Sequence, residues 1–196
     1  YDLSSLRVVW HLAEPCPAWL KQAWIDWLGP ERIVELYAGT EAQAATVITG
    51  VEWLAHQGSV GRPVSGEIMI CDADGEPLPA GTEGEVWMRS ARERPTYRYI
   101  GAEARRREGG WESLGDMGRI DEDGYLWLEG RARDMIIRGG QNIAPLEIED
   151  ALLAHPQVRE AAAVGMPDAE MGERVCVFVV PANGADWQVD PFSGEV

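Results

Sequence analysis

The stretch GDMGRIDEDGYLWLEGRARDMIIRGGQN, residues 115–142, decides how the rest of the chain is read. It holds an acidic turn at Gly115-Asp116, a hairpin signal at Asp121-Glu122-Asp123-Gly124, a Gly130-Arg131 step and a paired-glycine loop at Gly139-Gly140. An Asp-Gly turn between apolar alternating segments signals two antiparallel strands. An ordinary core segment needs no such crowding of turn residues, so the stretch reads as a joint between two domains.

Composition sets the outer limits. The chain has 196 residues, 45% hydrophobic and 26% charged, the balance of a globular protein able to bury a core as one or two domains. Its 33 acidic against 17 basic residues give a net charge of −16. Phosphates held over a broad surface would be repelled, so neither a nucleic acid nor an anionic membrane is expected as partner. An anion such as ATP remains possible where backbone amides, local arginines and a metal ion reverse the sign. The single lysine is Lys21. Cys16, Cys71 and Cys176 are odd in number and widely spaced, and read as reduced structural thiols rather than a disulfide framework or metal site. No apolar run approaches the ~20 residues of a membrane span, and a cytoplasmic setting is expected.

Outward from the central stretch, the N-terminal side opens β-α-β. Residues 6–12 (LRVVWHL) predict a buried strand. A helix follows from Pro17, with Leu20, Ala23, Trp24, Trp27 and Leu28 on its apolar face and Lys21, Gln22 and Asp26 opposite. Gly29-Pro30 stops it, and residues 32–37 (RIVELY) predict a second, parallel strand. That strand ends at residues 37–41 (YAGTE), where open α/β sheets place ligands. From Gly58 short strands at 67–71, 85–90 and 125–129 alternate with Gly, Pro and Asp turns, a β-rich unit. The arginine-rich residues 92–107 read as a solvated loop or short helix. Beyond Gly130 come a strand at 135–138, the glycine loop, a helix from Pro145 with Ile148, Ala151 and Leu152 on one face, and strands at 161–166 and 174–180. The last is apolar on both faces and is expected to be central.

The fold expected is therefore α/β plus α+β. Residues 1–131 end a parallel-sheet domain (1–57) carrying a small β-barrel-like subdomain (58–131), and residues 132–196 form a small, incomplete α+β domain.

Several residues have chemistry to offer. Tyr37 can stack on a purine, Thr40 can donate to a phosphate oxygen, and Glu41 can ligate Mg²⁺, which prefers oxygen. Equally, Thr40 can merely cap a turn. The two oxygens of Asp116 can accept both hydroxyls of a ribose, with Arg131 donating from the far side, or the two can form a turn-stabilising pair. His11 either borders an acyl pocket or is a core or loop histidine.

Taken in order, YAGTE (37–41), GWESLGDMGRIDEDGYLWLEGR (110–131) and the segment from ARDMIIRGGQN (132–142) to VCVFVV (175–180) resemble the adenylate-forming superfamily of acyl-CoA synthetases, adenylation domains and luciferases. The resemblance covers about residues 1–180. It implies that Ala13, Glu14, Pro15 and the segment ending in Tyr37 border the adenine, that Gly39 belongs to the ATP site, that Thr40 contacts the α-phosphate, that Glu41 holds Mg²⁺, and that Asp116 and Arg131 bind the ribose. It also implies a hinge at Arg133 or Asp134, where members of the family usually carry Asp or Lys at the first of the two. The glycines of the Gly139-Gly140 loop resemble the coenzyme A version of their motif more than that of peptide-synthetase domains, implying coenzyme A as acceptor. Residues 52–63, ending in Gly61-Arg62-Pro63, are also similar to the family.

The superfamily's Ser/Thr/Gly-rich phosphate loop and its C-terminal lysine have no counterpart in these 196 residues. The expectation is an inactive fragment of an enzyme that uses ATP, Mg²⁺ and coenzyme A to activate a carboxylic acid. The alternatives are a non-catalytic nucleotide- or acyl-binding module and an adenylation domain loading a carrier protein.

Overall fold

A computed structural model describes residues 2–3, 5–13, 16–92, 97–101, 103–168 and 170–182. The chain divides into two compact units, Tyr1–Arg133 and Asp134–Val196.

In the first unit, β1 (Val9–Leu12) lies parallel to β2 (Ile33–Ala38), the crossover being helix α1 (Ala18–Leu28) and a 3-10 turn at Pro30–Arg32. β3 (Ala45–Thr49), α2 (Gly50–Ala55), β4 (Ser59–Ser65), β5 (Glu67–Cys71), β6 (Gly84–Arg89), β7 (Arg105–Arg107), β8 (Trp111–Ile120) and β9 (Leu126–Arg131) follow. They join one sheet of order β1-β2-β3-β4-β9-β8-β6-β5, with β7 pairing β8. The α/β part and the β-rich part thus share a continuous sheet, because β4 pairs with both β3 and β9.

Two apolar clusters hold this unit together. One combines Ile25 of α1, Ile33, Ile48, Trp53 of α2 and Tyr125, and the other Ala44, Ile70, Val86, Met88 and Leu126. Full burial of such side chains contributes ~1.5–3 kcal/mol each. Helix α2 starts at a capping box in which Thr49 Oγ1 accepts from Glu52 N at 3.2 Å and Glu52 Oε2 accepts from Thr49 N at 3.0 Å.

Several expectations are corrected here. The first strand is shorter than residues 6–12 and is not buried, since Trp10 and Leu12 are both more than half exposed on a sheet edge. On α1 the buried residues are Lys21 and Ile25; of the predicted apolar face Trp24 and Leu28 pack against the core, whereas Ala23 and Trp27 are exposed. Lys21 turns inward because its ammonium finds the Glu35 carboxylate on β2, with the Trp53 ring 5.2 Å away. A buried charge persists only when paired in this way. Gly115-Asp116 is not a turn but the middle of β8: the register passes from Ser113 opposite Trp87 to Met117 opposite Glu85, a bulge made at Gly115 with φ +84°. Residues 105–107 are a strand rather than a solvated loop, with Arg105 and Arg106 ion-paired to Glu85 and Glu112.

The second unit is an antiparallel sheet of order β11-β10-β13-β12, formed by β10 (Ile136–Arg138), β11 (Gln141–Ile143), β12 (Val158–Asp168) and β13 (Gly172–Pro181), with α3 (Pro145–Leu153) between β11 and β12. β13 is central, as its two-sided apolar run requires. Glu149 of α3 accepts a hydrogen bond from Ala163 N at 2.8 Å, tying helix to sheet. Ala151 is exposed rather than part of the helix's inner face. Among the described residues no helix is long and apolar enough to cross a membrane.

Candidate active site

The C-terminal end of β2 and the paired strands β8 and β9 bring three predicted residues together. Asp116 and Arg131 are direct cross-strand partners, so their side chains share one face of the sheet. Arg131 Nε lies 3.4 Å from Asp116 Oδ1, and the Tyr37 hydroxyl donates to Asp116 Oδ2 at 2.6 Å. Burial, and then the neighbouring Asp116 carboxylate, hold the Tyr37 phenol well above its ordinary pKa, so it stays a donor. Asp116 is thereby fixed from both sides. Its oxygens each keep a lone pair for further donors.

Beyond Tyr37 the chain makes a turn closed by Ala42 N donating to Gly39 O at 3.0 Å, with Ala42 at φ +55°. A Cβ at Gly39 would collide with Leu114 Cδ1 and lie 2.9 Å from Glu41 Oε2, so a side chain there would displace both of these side chains. Exposed Thr40 donates to Glu41 Oε2 at 3.3 Å, and Tyr99 donates to Glu41 Oε1 at 2.6 Å. That hydrogen bond is the main reason the Tyr99 pKa is pushed up to about 12.

A second layer lies behind the turn. Buried Glu112 of β8 accepts from Gln43 Nε2 at 3.0 Å, from the Tyr97 hydroxyl at 2.8 Å and from Arg106 Nε at 2.6 Å. Burial pushes its pKa up, yet the three donors together hold it below the ordinary carboxylate value.

Of the remaining predicted residues, Ala13 is exposed and in the left-handed region, φ +81°, while Glu14 and Pro15 lie outside the described residues. Arg133 and Asp134 stand on either side of the division between the two units. Gly139 and Gly140, in the second unit, form the two-residue turn between β10 and β11. Partly buried His11 of β1 has its Nδ1 3.6 Å from Glu35, beside the buried Lys21 pair.

Gln43, Tyr97, Tyr99 and Glu112 were not foreseen. Tyr97 and Tyr99, two residues apart, carried an extended-chain signal inside the arginine-rich segment. Nothing local marks Gln43 or Glu112, whose pairing spans 69 residues.

The described residues include no group of three or more His, Cys, Asp or Glu able to cage a metal. A single half-buried carboxylate beside a hydroxyl nevertheless suits Mg²⁺, which keeps waters and shares phosphate oxygens with few protein ligands.

Residues 1–97 match the model of the AMP-binding enzyme family and residues 147–195 that of the AMP-binding enzyme C-terminal domain. The chain belongs to the AMP-binding enzyme family. Within that adenylate-forming family it is 43% identical over 132 residues to the sulfoacetate–CoA ligase of Cupriavidus necator, covering 65% of this chain and 26% of that enzyme. It is 34% identical over 94% of its length to the mitochondrial medium-chain acyl-CoA ligase ACSF2 of Mus musculus, 31% of that enzyme. Among solved structures, the amide bond synthetase McbA of Marinactinospora thermotolerans superposes with a TM-score of 0.81 at 38% identity, over 95% of this chain and 39% of that one. The chain thus spans about a quarter to two fifths of the AMP-binding relatives it matches.

Proposed function

We propose that the chain is the part of an ATP-dependent acid–thiol ligase that holds the nucleotide sugar and positions the metal, and that the whole protein converts a carboxylic acid to its acyl-adenylate and then to a coenzyme A thioester. The observation that carries the reading is the doubly held Asp116, between Tyr37 and Arg131. A carboxylate fixed at both oxygens pays little ordering entropy when ribose hydroxyls dock. Thr40 then faces the α-phosphate and Glu41 the metal. Mg²⁺, when bound, neutralises phosphate charge as pyrophosphate departs.

The small unit beginning near residue 132 swings about Arg133 or Asp134 between the two half-reactions and brings Gly139-Gly140 to the thiol, in a cytoplasmic setting. The isolated 196 residues turn over neither half-reaction, because positioning and charge neutralisation are most of the chemistry and a lysine is needed for it. Lys21, the single lysine, is buried against Glu35 and stays with its structural partner.

Likeness to an amide bond synthetase favours one second reading, an amine in place of coenzyme A as acceptor. The test is ATP-dependent pyrophosphate release by the whole protein over a panel of carboxylic acids, with coenzyme A or simple amines as acceptors. Thioester formation supports the first reading and amide formation the second. No pyrophosphate release with any acid would leave a non-catalytic binding module, and turnover by residues 1–196 alone would refute the need for further residues.

A further inference from the structure

Gln43 is 3% exposed, and its Oε1 has no hydrogen-bond partner among the described residues. A buried acceptor left this way costs ~1–3 kcal/mol. Its orientation is not arbitrary: Nε2 is turned to the ionised Glu112, itself anchored by Arg106 and Tyr97, so the carbonyl end must point away. It points to the Gly39–Glu41 turn. The place where a Gly39 side chain would begin lies 3.4 Å from Gln43 Oε1, 2.9 Å from Glu41 Oε2 and closer still to Leu114 Cδ1, so the two oxygens border the same spot beside the Leu114 methyl.

We propose that Gln43 is a positioning residue for Mg²⁺, its Oε1 accepting a hydrogen bond from a water of the ion that Glu41 holds. This deepens the ligase reading and rests on it for the identity of the ion. Mg²⁺ gives up its waters reluctantly, and a bound water is a strong donor that needs an acceptor at fixed reach. A neutral amide oxygen provides one without adding a further charge beside Glu112. Arg106, Glu112 and Gln43 then form a relay from the strand β7 to the turn, each fixing the next.

The experiment is a Mg²⁺ titration of ATP binding to the whole protein, read by calorimetry, with Gln43→Met and with Gln43→Glu combined with Glu112→Gln. Met keeps the volume and removes the acceptor, whereas the double variant keeps an acceptor oxygen at position 43 and exchanges the charge with position 112, so that no two carboxylates face each other. The expected result is a Mg²⁺ requirement raised about tenfold or more in Gln43→Met, the usual effect of losing an outer-shell partner, and a smaller change in the double variant. A merely structural role would weaken both proteins alike or leave the Mg²⁺ requirement unmoved, and either result overturns the inference. Should Gln43→Met not fold, a double-variant requirement raised about tenfold overturns it and a near-parent one supports it. Mg²⁺-independent ATP binding by the parent protein overturns the metal assignment itself, which separates failure of the broader reading from failure at Gln43.

Discussion

Replacing Asp116 by alanine in the whole protein removes the acceptor shared by the Tyr37 hydroxyl at 2.6 Å and Arg131 Nε at 3.4 Å, and with it the expected seat of the ribose. A hydrogen bond to a charged group contributes ~1.5–3 kcal/mol, and every ~1.4 kcal/mol is tenfold in affinity. The parent protein should therefore bind ATP about 10- to 100-fold more tightly than 2′-deoxyATP. In Asp116→Ala this preference should collapse towards unity, because the group that reads the 2′-hydroxyl is gone. Asp116→Asn, which keeps the shape but loses the charge, should fall between. Both nucleotides are titrated against all three proteins by calorimetry, with circular dichroism to confirm the fold. The comparison of two ligands on the same variant cancels general damage to the site. An Asp116→Ala protein that retains the tenfold preference would refute the ribose assignment, whatever its absolute affinity.

Lys21→Met strands the buried Glu35 charge and should cost ~3–5 kcal/mol, whereas Lys21→Met combined with Glu35→Leu should recover much of it; urea unfolding decides, and a double variant less stable than the single would sink the idea. The Glu112 carboxyl titrates below its ordinary 4.5 in the folded chain, so its stabilisation is present above that value and is lost as pH falls through the lower, folded-state pKa. Urea midpoints measured from neutral pH to below 4 should therefore decline less steeply in Glu112→Gln than in the parent.

Where local chemistry decided structure, the sequence could be read. The Asp121-Gly124 turn closes as expected, with Asp121 Oδ1 accepting from Asp123 N and Tyr125 N at 3.0 and 2.8 Å. The parallel β1–β2 pair and the central β13 followed from apolar patterning. Reading failed where tertiary partners overrode pattern. Lys21 was assigned to solvent on helical periodicity, and only the Glu35 carboxylate across 14 residues reverses that. Gly115 signalled a turn, but a positive φ serves equally for a bulge inside β8. The candidate site divides in the same manner: Tyr37, Asp116 and Arg131 are singled out by side-chain chemistry together with the family resemblance, and the fold brings them into contact, whereas the Gln43–Glu112 contact depends on which strands the fold lays side by side.

The register of β8 against β9 has a consequence for how this gene can vary. Arg131 reaches Asp116 because the two stand opposite each other, with the intervening irregularity confined between Met117 and Gly118. Successive residues of a strand face opposite sides, so a slip of one position would carry Arg131 to the wrong side of the sheet. Substitutions of exposed Glu122 and Asp123 should be widely tolerated, unlike those of Asp121, whose carboxylate closes the turn, or of Gly124 at φ +83°. Single-codon insertions and deletions in the strands flanking the turn, between positions 118 and 130, should not be tolerated. A library of such length variants, scored for ATP binding, would show a gap at one residue and partial recovery at two.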